Sequence, residues 1–263
     1  MKCDLCPRKC LVDRKKGEKG ICGQTENLKV ARAALHFWEE PCISGDAGSG
    51  AVFFSGCPLH CVFCQNENIA NGTVGKEISL ERLVDIFLEL QEKRANNINL
   101  VTPGHFVPQI VKALDQARKE GLTLPVVYNT SSYETVDTIK MLEGYVDIYL
   151  PDFKYMSPGL SKKYSHAPDY AEVAKAAIAE MVRQTGKAVF VNGDEDNLIL
   201  RGTIVRHLTL PGCMADSMQI LKYLHETYGD MIYISIMNQY TPVFEQKEYT
   251  ELNRCVTRRE YEK

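Results

Sequence analysis

From residue 51 onward the chain alternates between short apolar runs and longer stretches of helical period. That alternation constrains the fold more than any single residue does. "AVFFSG" is an apolar run bounded by glycine and reads as a buried strand. "SLERLVDIFLELQEK" follows, with Leu80, Leu83, Val84, Phe87 and Leu90 on one helical face and Ser79 placed to cap it. The pattern recurs. "INLVTPG" is strand-like, and "VPQIVKALDQARKEG" aligns Val107, Ile110, Val111 and Leu114 before Gly121 stops the helix. "LPVVYNTSS" precedes a helical "YETVDTIKMLEGY", and "VDIYLPDFKY" precedes a largely helical 157–186 broken near Pro168. "LILRGTIVRHLTLPG", "DSMQILKYLHETYGD" and "MIYISIMNQYTP" supply a strand, a helix and a last strand.

The strands are continuous apolar runs rather than alternating ones. Such strands are covered on both faces, as in a parallel sheet wrapped by helices. About six β-α units are fewer than the eight of a closed barrel. The expected fold is therefore α/β, a partial (β/α)6 TIM-like barrel over residues 51–263. A small cysteine-rich metal-binding extension over 1–50 precedes it, ending in the loop "SGDAGSG". Function is expected where strands end and β-α loops begin. The closing "VTRREYEK" reads as the middle of a helix, so a C-terminal piece is expected to be missing or disordered.

Composition narrows the class. The 263 residues are 44% hydrophobic and 25% charged with a net charge of −3, which suits a globular chain and gives no global pointer to nucleic acid. Lys2, Arg8, Lys9, Arg14, Lys15, Lys16 and Lys19 outnumber Asp4, Asp13 and Glu18 in the first twenty residues, a run that reads as a solvated surface. No apolar stretch is long enough for a transmembrane helix, and "MKCDLCPRKC" lacks a signal-peptide core, so a cytoplasmic protein with no membrane partner is expected. Ten cysteines are many for such a chain, and in a reducing compartment they favour metal or redox chemistry over disulfides.

Three of them sit in "CPLHCVFCQN", as Cys57, Cys61 and Cys64, directly after the first strand. A half zinc site completed by a distant ligand is one reading, although the spacing differs from the paired C-x2-C of zinc ribbons. Iron–sulfur clusters use thiolates at such short spacings, and three thiolates on a [4Fe–4S] cluster leave one iron open, the mark of a catalytic metal. C-x3-C-x-aromatic-C, with Phe63 as the aromatic, resembles the signature of the radical S-adenosylmethionine superfamily. The resemblance implies that the open iron binds S-adenosylmethionine, which is cleaved reductively to a 5′-deoxyadenosyl radical that abstracts a substrate hydrogen. A cofactor then carries the difficult chemistry while the protein supplies placement and exclusion of water.

The trailing "CQN" is similar to the motif end of pyruvate formate-lyase activating enzyme and its relatives, with Asn66 as the matching Asn. "YLPDFKY" resembles that group's strand-end "DLK", which carries Asp152 and Lys154 over to the S-adenosylmethionine site; a surface turn is the plainer alternative. "VYNTSSYE" resembles its "DTNG" and makes Asn129 and Ser131 contacts for the cofactor. "VRHLTLPG" resembles an "R…VPG" segment and makes Arg206 a partner for the cofactor's carboxylate, where a planar fork binds bidentately. The group's "GGE" is replaced by "VTPGHF". Only Gly104 survives, the carbonyls of Thr102 and Pro103 remain as acceptors, and His105 stands where the acid would be, facing substrate or packing at a helix start. Asn238, Gln239 and Tyr240 in the last strand are expected to face the substrate. The resemblance spans roughly 50–243 and implies a reducing donor such as a flavodoxin or ferredoxin. It implies as partner a glycyl radical enzyme, with a small molecule or peptide as the alternative substrate. A non-catalytic zinc protein is the remote alternative.

Cys3, Cys6, Cys10 and Cys22 form C-x2-C-x3-C-x11-C, and four thiolates close a site. Structural zinc and a second iron–sulfur cluster both fit this spacing. Cys42, Cys213 and Cys255 read as structural or surface thiols. "HFWEEP", with Trp38, Glu39 and Glu40, is expected to pack rather than to form a site.

Overall fold

The computed structural model describes residues 2–193 and 197–262. Its backbone opens with an irregular stretch and a single 3-10 turn at Arg14–Lys16, then strand β1 (Lys29–His36), helix α1 (Pro41–Ser44) and strand β2 (Ser49–Phe54). Helix α2 (Glu67–Ala70), strand β3 (Lys76–Glu77) and helix α3 (Leu80–Glu92) follow, then β4 (Ile98–Val101), α4 (Val107–Lys119), β5 (Val126–Thr130) and α5 (Val136–Lys140). Next come β6 (Ile148–Pro151), α6 (Pro158–Ser165), α7 (Tyr170–Thr185), β7 (Val189–Phe190), β8 (Ile199–Leu208), α8 (Met214–Tyr228), β9 (Tyr233–Met237) and α9 (Arg258–Tyr261).

Six strands run parallel in the order β2, β4, β5, β6, β8 and β9. This is the partial (β/α)6 arrangement expected from the apolar runs. Around it, β1 and β3 extend the β2 edge antiparallel, and β7 pairs antiparallel with β8. The segment 25–50 therefore holds a sheet strand: β1 pairs with β2 from His36 opposite Ser49 to Val30 opposite Phe54. The expected boundary at residue 50 falls inside β2, which is hydrogen-bonded to β1.

Among the described residues three apolar clusters flank the strands, two of them large. One packs α3 and α4 on the sheet through Val52, Phe54, Leu83, Phe87, Leu100 and Ile110. The other lies under the three-cysteine loop and is unusually aromatic, with Phe63, Phe153, Tyr155, Tyr164 and Tyr170 all buried. Ser79 caps α3, its side chain accepting from the Arg82 amide at 3.2 Å. Ser79→Ala is expected to lower stability by about 1 kcal/mol in urea unfolding.

The N-terminal stretch makes little regular structure, so arginines tie it to the barrel. Arg14 donates from Nε (3.0 Å) and Nη2 (2.5 Å) to the Thr25 carbonyl and from Nη1 to the His105 carbonyl (2.5 Å), and lies over the Phe106 ring.

Candidate functional site

One cavity of about 490 Å³ opens at the C-terminal ends of the parallel strands. That is an ordinary size for a ligand site and the expected end of the sheet. Cys57, Cys61, Phe63, Cys64 and Asn66 line one side of it. Thr102, Asn129, Ser131, Asp152, Lys154 and Arg206 line the strand ends, and Gln239 lies beyond β9. Several expected residues do not line it, Pro103 and Asn238 among them. His105 is buried, its Nε2 donating to the Ser55 carbonyl at 2.7 Å, and burial pushes its imidazole down to about 3, so it is neutral. Gly104 forms the same 3-10 turn, Gly104–Phe106. Tyr240 is buried against Phe63, and its hydroxyl donates to the Leu252 carbonyl. His105 and Tyr240 therefore support the walls of the cavity from behind.

The cysteine loop leaves β2 through Gly56, whose φ of +90° is a left-handed conformation that glycine adopts freely. A Cβ there would also overlap the Cys22 carbonyl. Burial pushes the Cys57 thiol up to about 12, opposed by the amides of Leu59 and His60 that point at its sulfur. Burial likewise raises Cys64, opposed by the Asn66 amide and the Lys154 charge. Ser165 Oγ donates to Cys61 Sγ at 3.1 Å. Among the described residues no three His, Cys, Asp or Glu side chains close on a single ion. The donor set nevertheless suits an anionic iron–sulfur cluster. Three soft sulfurs share one cavity wall, backbone amides and a hydroxyl are aimed at them, and a lysine lies close by. Metal binding would displace the thiol protons.

Opposite the cysteines lies a charge network. Arg206, on β8, donates from Nε to Asp152 at 2.9 Å, from Nη1 to Glu39 at 3.0 Å and from Nη2 to Asn129 Oδ1 at 2.7 Å. Lys154 donates to the other Asp152 oxygen at 2.7 Å, and Asn129 donates to Glu39. Burial alone would raise Asp152, but Arg206 and Lys154 together hold its carboxyl below the usual range. At Glu39 burial, with Glu40 nearby, outweighs the pull of Arg206 and the smaller one of His36, so its carboxyl is raised. Two acids on one arginine are thus driven in opposite directions. Glu39 was expected to pack; it belongs to the network instead. Trp38 beside it is 89% exposed at the cavity rim.

Two strand ends carry unusual backbone. Thr102 after β4 has φ 55°, a strained state for a β-branched residue, and its N–H donates to the Asn129 carbonyl at 2.9 Å. Ser132 after β5 has φ 64°. Below them Glu134 is buried, with its carboxylate so close to Gly104 that a Cβ there would overlap it. Thr130 Oγ1 donates to it at 2.8 Å and the Tyr128 hydroxyl at 3.3 Å, leaving Oε2 without a hydrogen-bond partner. The segment "VTPGHF" thus faces an acid after all, supplied by the next strand end.

Comparison with known proteins places this geometry. The family model described as the radical SAM superfamily matches residues 51–197. The uncharacterized protein MJ0674 of Methanocaldococcus jannaschii is 28% identical over 99% of this chain and 72% of its own length. Native anSMEcpe, solved with AdoMet and Kp18Cys peptide bound, superposes with a TM-score of 0.51 at 12% identity, over 79% of this chain and 54% of that one. HydG, a maturase of the [FeFe]-hydrogenase, gives 0.50 at 14% identity, over 78% and 45%. The chain spans about half the length of these solved structures. No described helix is long and apolar enough to cross a membrane.

Proposed function

This chain belongs to the radical S-adenosylmethionine superfamily, and on that premise we propose that it performs hydrogen abstraction on a polypeptide substrate in the cavity described above. Cys57, Cys61 and Cys64 would hold a [4Fe–4S] cluster, with S-adenosylmethionine across the strand ends. When bound, the two supply a carbon-centred radical strong enough to take a substrate hydrogen. The observation that carries the reading is one cavity joining three cysteines, solvated by amides at Cys57 and Cys64 and by a hydroxyl at Cys61, to the Asp152–Arg206–Glu39 network.

The remaining roles follow from the chain's own groups. Lys154 offsets negative charge between Asp152 and the cysteines. Arg206 gives three of its five N–H donors to acceptors of this chain, so it fixes the strand ends to one another, and the second hydrogens of Nη1 and Nη2 remain for the cofactor's carboxylate. Asn129, Ser131 and Thr102 present polar groups from adjacent strand ends. The six parallel strands do not close into a ring, and exposed Trp38 stands at the cavity rim, where a chain segment would enter. A glycine of a partner enzyme is the specific case that "CQN" and "DFK" favour. The peptide-bound anSMEcpe structure agrees with a polypeptide substrate. The donor would be a flavodoxin or ferredoxin.

Anaerobic reconstitution and assay test this. The wild-type chain with reductant should release 5′-deoxyadenosine and methionine from S-adenosylmethionine, and Cys57→Ala/Cys61→Ala/Cys64→Ala should release none. A substrate peptide deuterated at the target carbon should pass its label into 5′-deoxyadenosine. A wild-type chain that binds iron and cleaves nothing would refute the activity; cleavage with label transfer only from small metabolites would refute the substrate class.

A further inference from the structure

Cys3, Cys6, Cys10 and Cys22 are not used by the reaction above, yet the structure gathers them. Cys22 lies within electrostatic reach of Cys3 and Cys10, and Cys6 within reach of Cys10 and Cys22. A Cβ built on Gly20 would touch both Cys10 Sγ and Cys22 Sγ, and the Ile21 amide donates to Cys10 Sγ at 3.2 Å. These side chains do not close on a single ion, but four soft donors with an amide on one sulfur have the chemistry a larger thiolate-bound cluster needs.

The position of this site decides what it is for. Its loop interlocks with the loop of Cys57, Cys61 and Cys64. Arg8, between Cys6 and Cys10, donates to the Pro58 carbonyl at 2.9 Å and to the Ser165 carbonyl at 2.9 Å. His60, between Cys57 and Cys61, donates from Nε2 to the Ile21 carbonyl at 2.8 Å. Gly56, next to Cys57, meets the Cys22 carbonyl with no room for a side chain. Buried aromatic rings also join the two sites. Cys6 lies within electrostatic reach of Tyr133, which stacks on Tyr170 at 6.2 Å between centroids, and Tyr170 meets Tyr155 at 5.4 Å. The Tyr155 hydroxyl contacts Ser165 Oγ, the group that donates to Cys61.

The outer side of the site is exposed. Leu11 and Ile21, each beside one of its cysteines, are 52% and 50% exposed. Lys2, Lys9, Lys15, Lys16 and Lys19 are exposed around them, against exposed Asp4 and Glu18. In a chain of net charge −3 this is a local basic surface with apolar contacts, suited to an acidic redox protein.

We propose that Cys3, Cys6, Cys10 and Cys22 hold a second iron–sulfur cluster that relays electrons from an acidic one-electron donor to the site of Cys57, Cys61 and Cys64. The inference rests on the radical reading of that second site. Each turnover moves one electron: the donor is oxidised by one, the outer cluster is reduced and reoxidised by one, and the inner site gains one. Zinc, which has no redox chemistry, would serve none of this.

Metal analysis and electron spin resonance on the whole chain, reconstituted with iron and sulfide, test it. Wild type is expected to hold about eight iron and eight sulfide with no zinc, and Cys57→Ala/Cys61→Ala/Cys64→Ala and Cys6→Ser/Cys10→Ser about four iron each. Dithionite-reduced wild type should give a spectrum broadened by magnetic coupling between the two clusters, and each variant a narrow one. About one zinc and four iron in wild type would overturn the proposal without any variant having to fold. A wild-type spectrum equal to the sum of the two variants' would overturn the relay. Two coupled clusters in a chain that cleaves no S-adenosylmethionine would leave the second cluster standing and fail the functional reading alone.

Discussion

Arg206→Met is expected to destabilise the chain by about 3–5 kcal/mol at pH 8, because it leaves two buried carboxylates without their shared cation. Arg206, Asp152 and Glu39 have side chains only 15%, 16% and 8% exposed, so water cannot take over the lost contacts. Asp152 keeps Lys154, but Glu39 keeps only the Asn129 amide. The loss should depend on pH in a definite sense. In the native chain Asp152 is held below the usual carboxylate range, so its contribution is present above the ordinary carboxyl pKa and falls away on acidification. In the variant Glu39, already raised by burial, rises further. A raised carboxyl favours the folded state below its unfolded pKa and loses that advantage as pH rises through the folded value. The Asp152 contribution is still complete at pH 5, so between pH 8 and pH 5 it is Glu39 that shrinks the difference between variant and wild type. Urea unfolding at the two values checks it. Arg206→Met/Glu39→Gln should recover part of the loss, since it removes the stranded charge. A difference under about 1 kcal/mol at pH 8 would show that the network offsets only its own desolvation. Arg206→Lys should fall between, keeping charge but not three donors in one plane.

The sequence made the parallel strands legible because strands buried on both faces are written as uninterrupted apolar runs. β1 escaped that reading. Its residues are mostly half-buried, and its partner strand begins at Ser49, so only pairing in space defines it. The three-cysteine motif was legible for the opposite reason: a cluster needs its thiolates close together, and a single loop supplies them. Glu39 was not, because its partner Arg206 lies 167 positions away, and nothing local separates a network acid from a surface one. Position after a strand end points Tyr240 toward substrate and leaves His105 either facing substrate or packing at a helix start. The 3-10 turn at Gly104–Phe106 buries His105 behind Ser55, and the aromatic core claims Tyr240. "VTPGHF" looked like a lost acid because a motif is read along the chain, whereas the carboxylate beside Gly104 comes from Glu134, thirty positions on.

That carboxylate supports a second prediction of similar size. Burial pushes Glu134 up to about 7, against the opposing hydrogen bonds of Thr130 and Tyr128. Gly104 crowds it, the Cys6 thiol lies within its electrostatic reach, and among the described residues one of its oxygens has no hydrogen-bond partner. The folded pKa lies above the unfolded one, so Glu134 favours folding in full below the ordinary glutamate pKa. That advantage is lost as pH rises from about 4.5 through about 7. A displacement of this size corresponds to about 3 kcal/mol. Glu134→Gln keeps the shape and the acceptor for Thr130 but cannot ionise. It should therefore be close to neutral at pH 5 and stabilising at pH 8.5, so that thermal unfolding midpoints of variant and wild type diverge between the two. Equal midpoints at pH 8.5 would mean that Glu134 ionises in the fold without penalty, through water or a cation reaching its second oxygen. Gly104→Ala gives the steric counterpart. Its Cβ has nowhere to go but into the Glu134 carboxylate, so Gly104→Ala should destabilise the chain at both pH values, and Gly104→Ala/Glu134→Ala should relieve part of that loss.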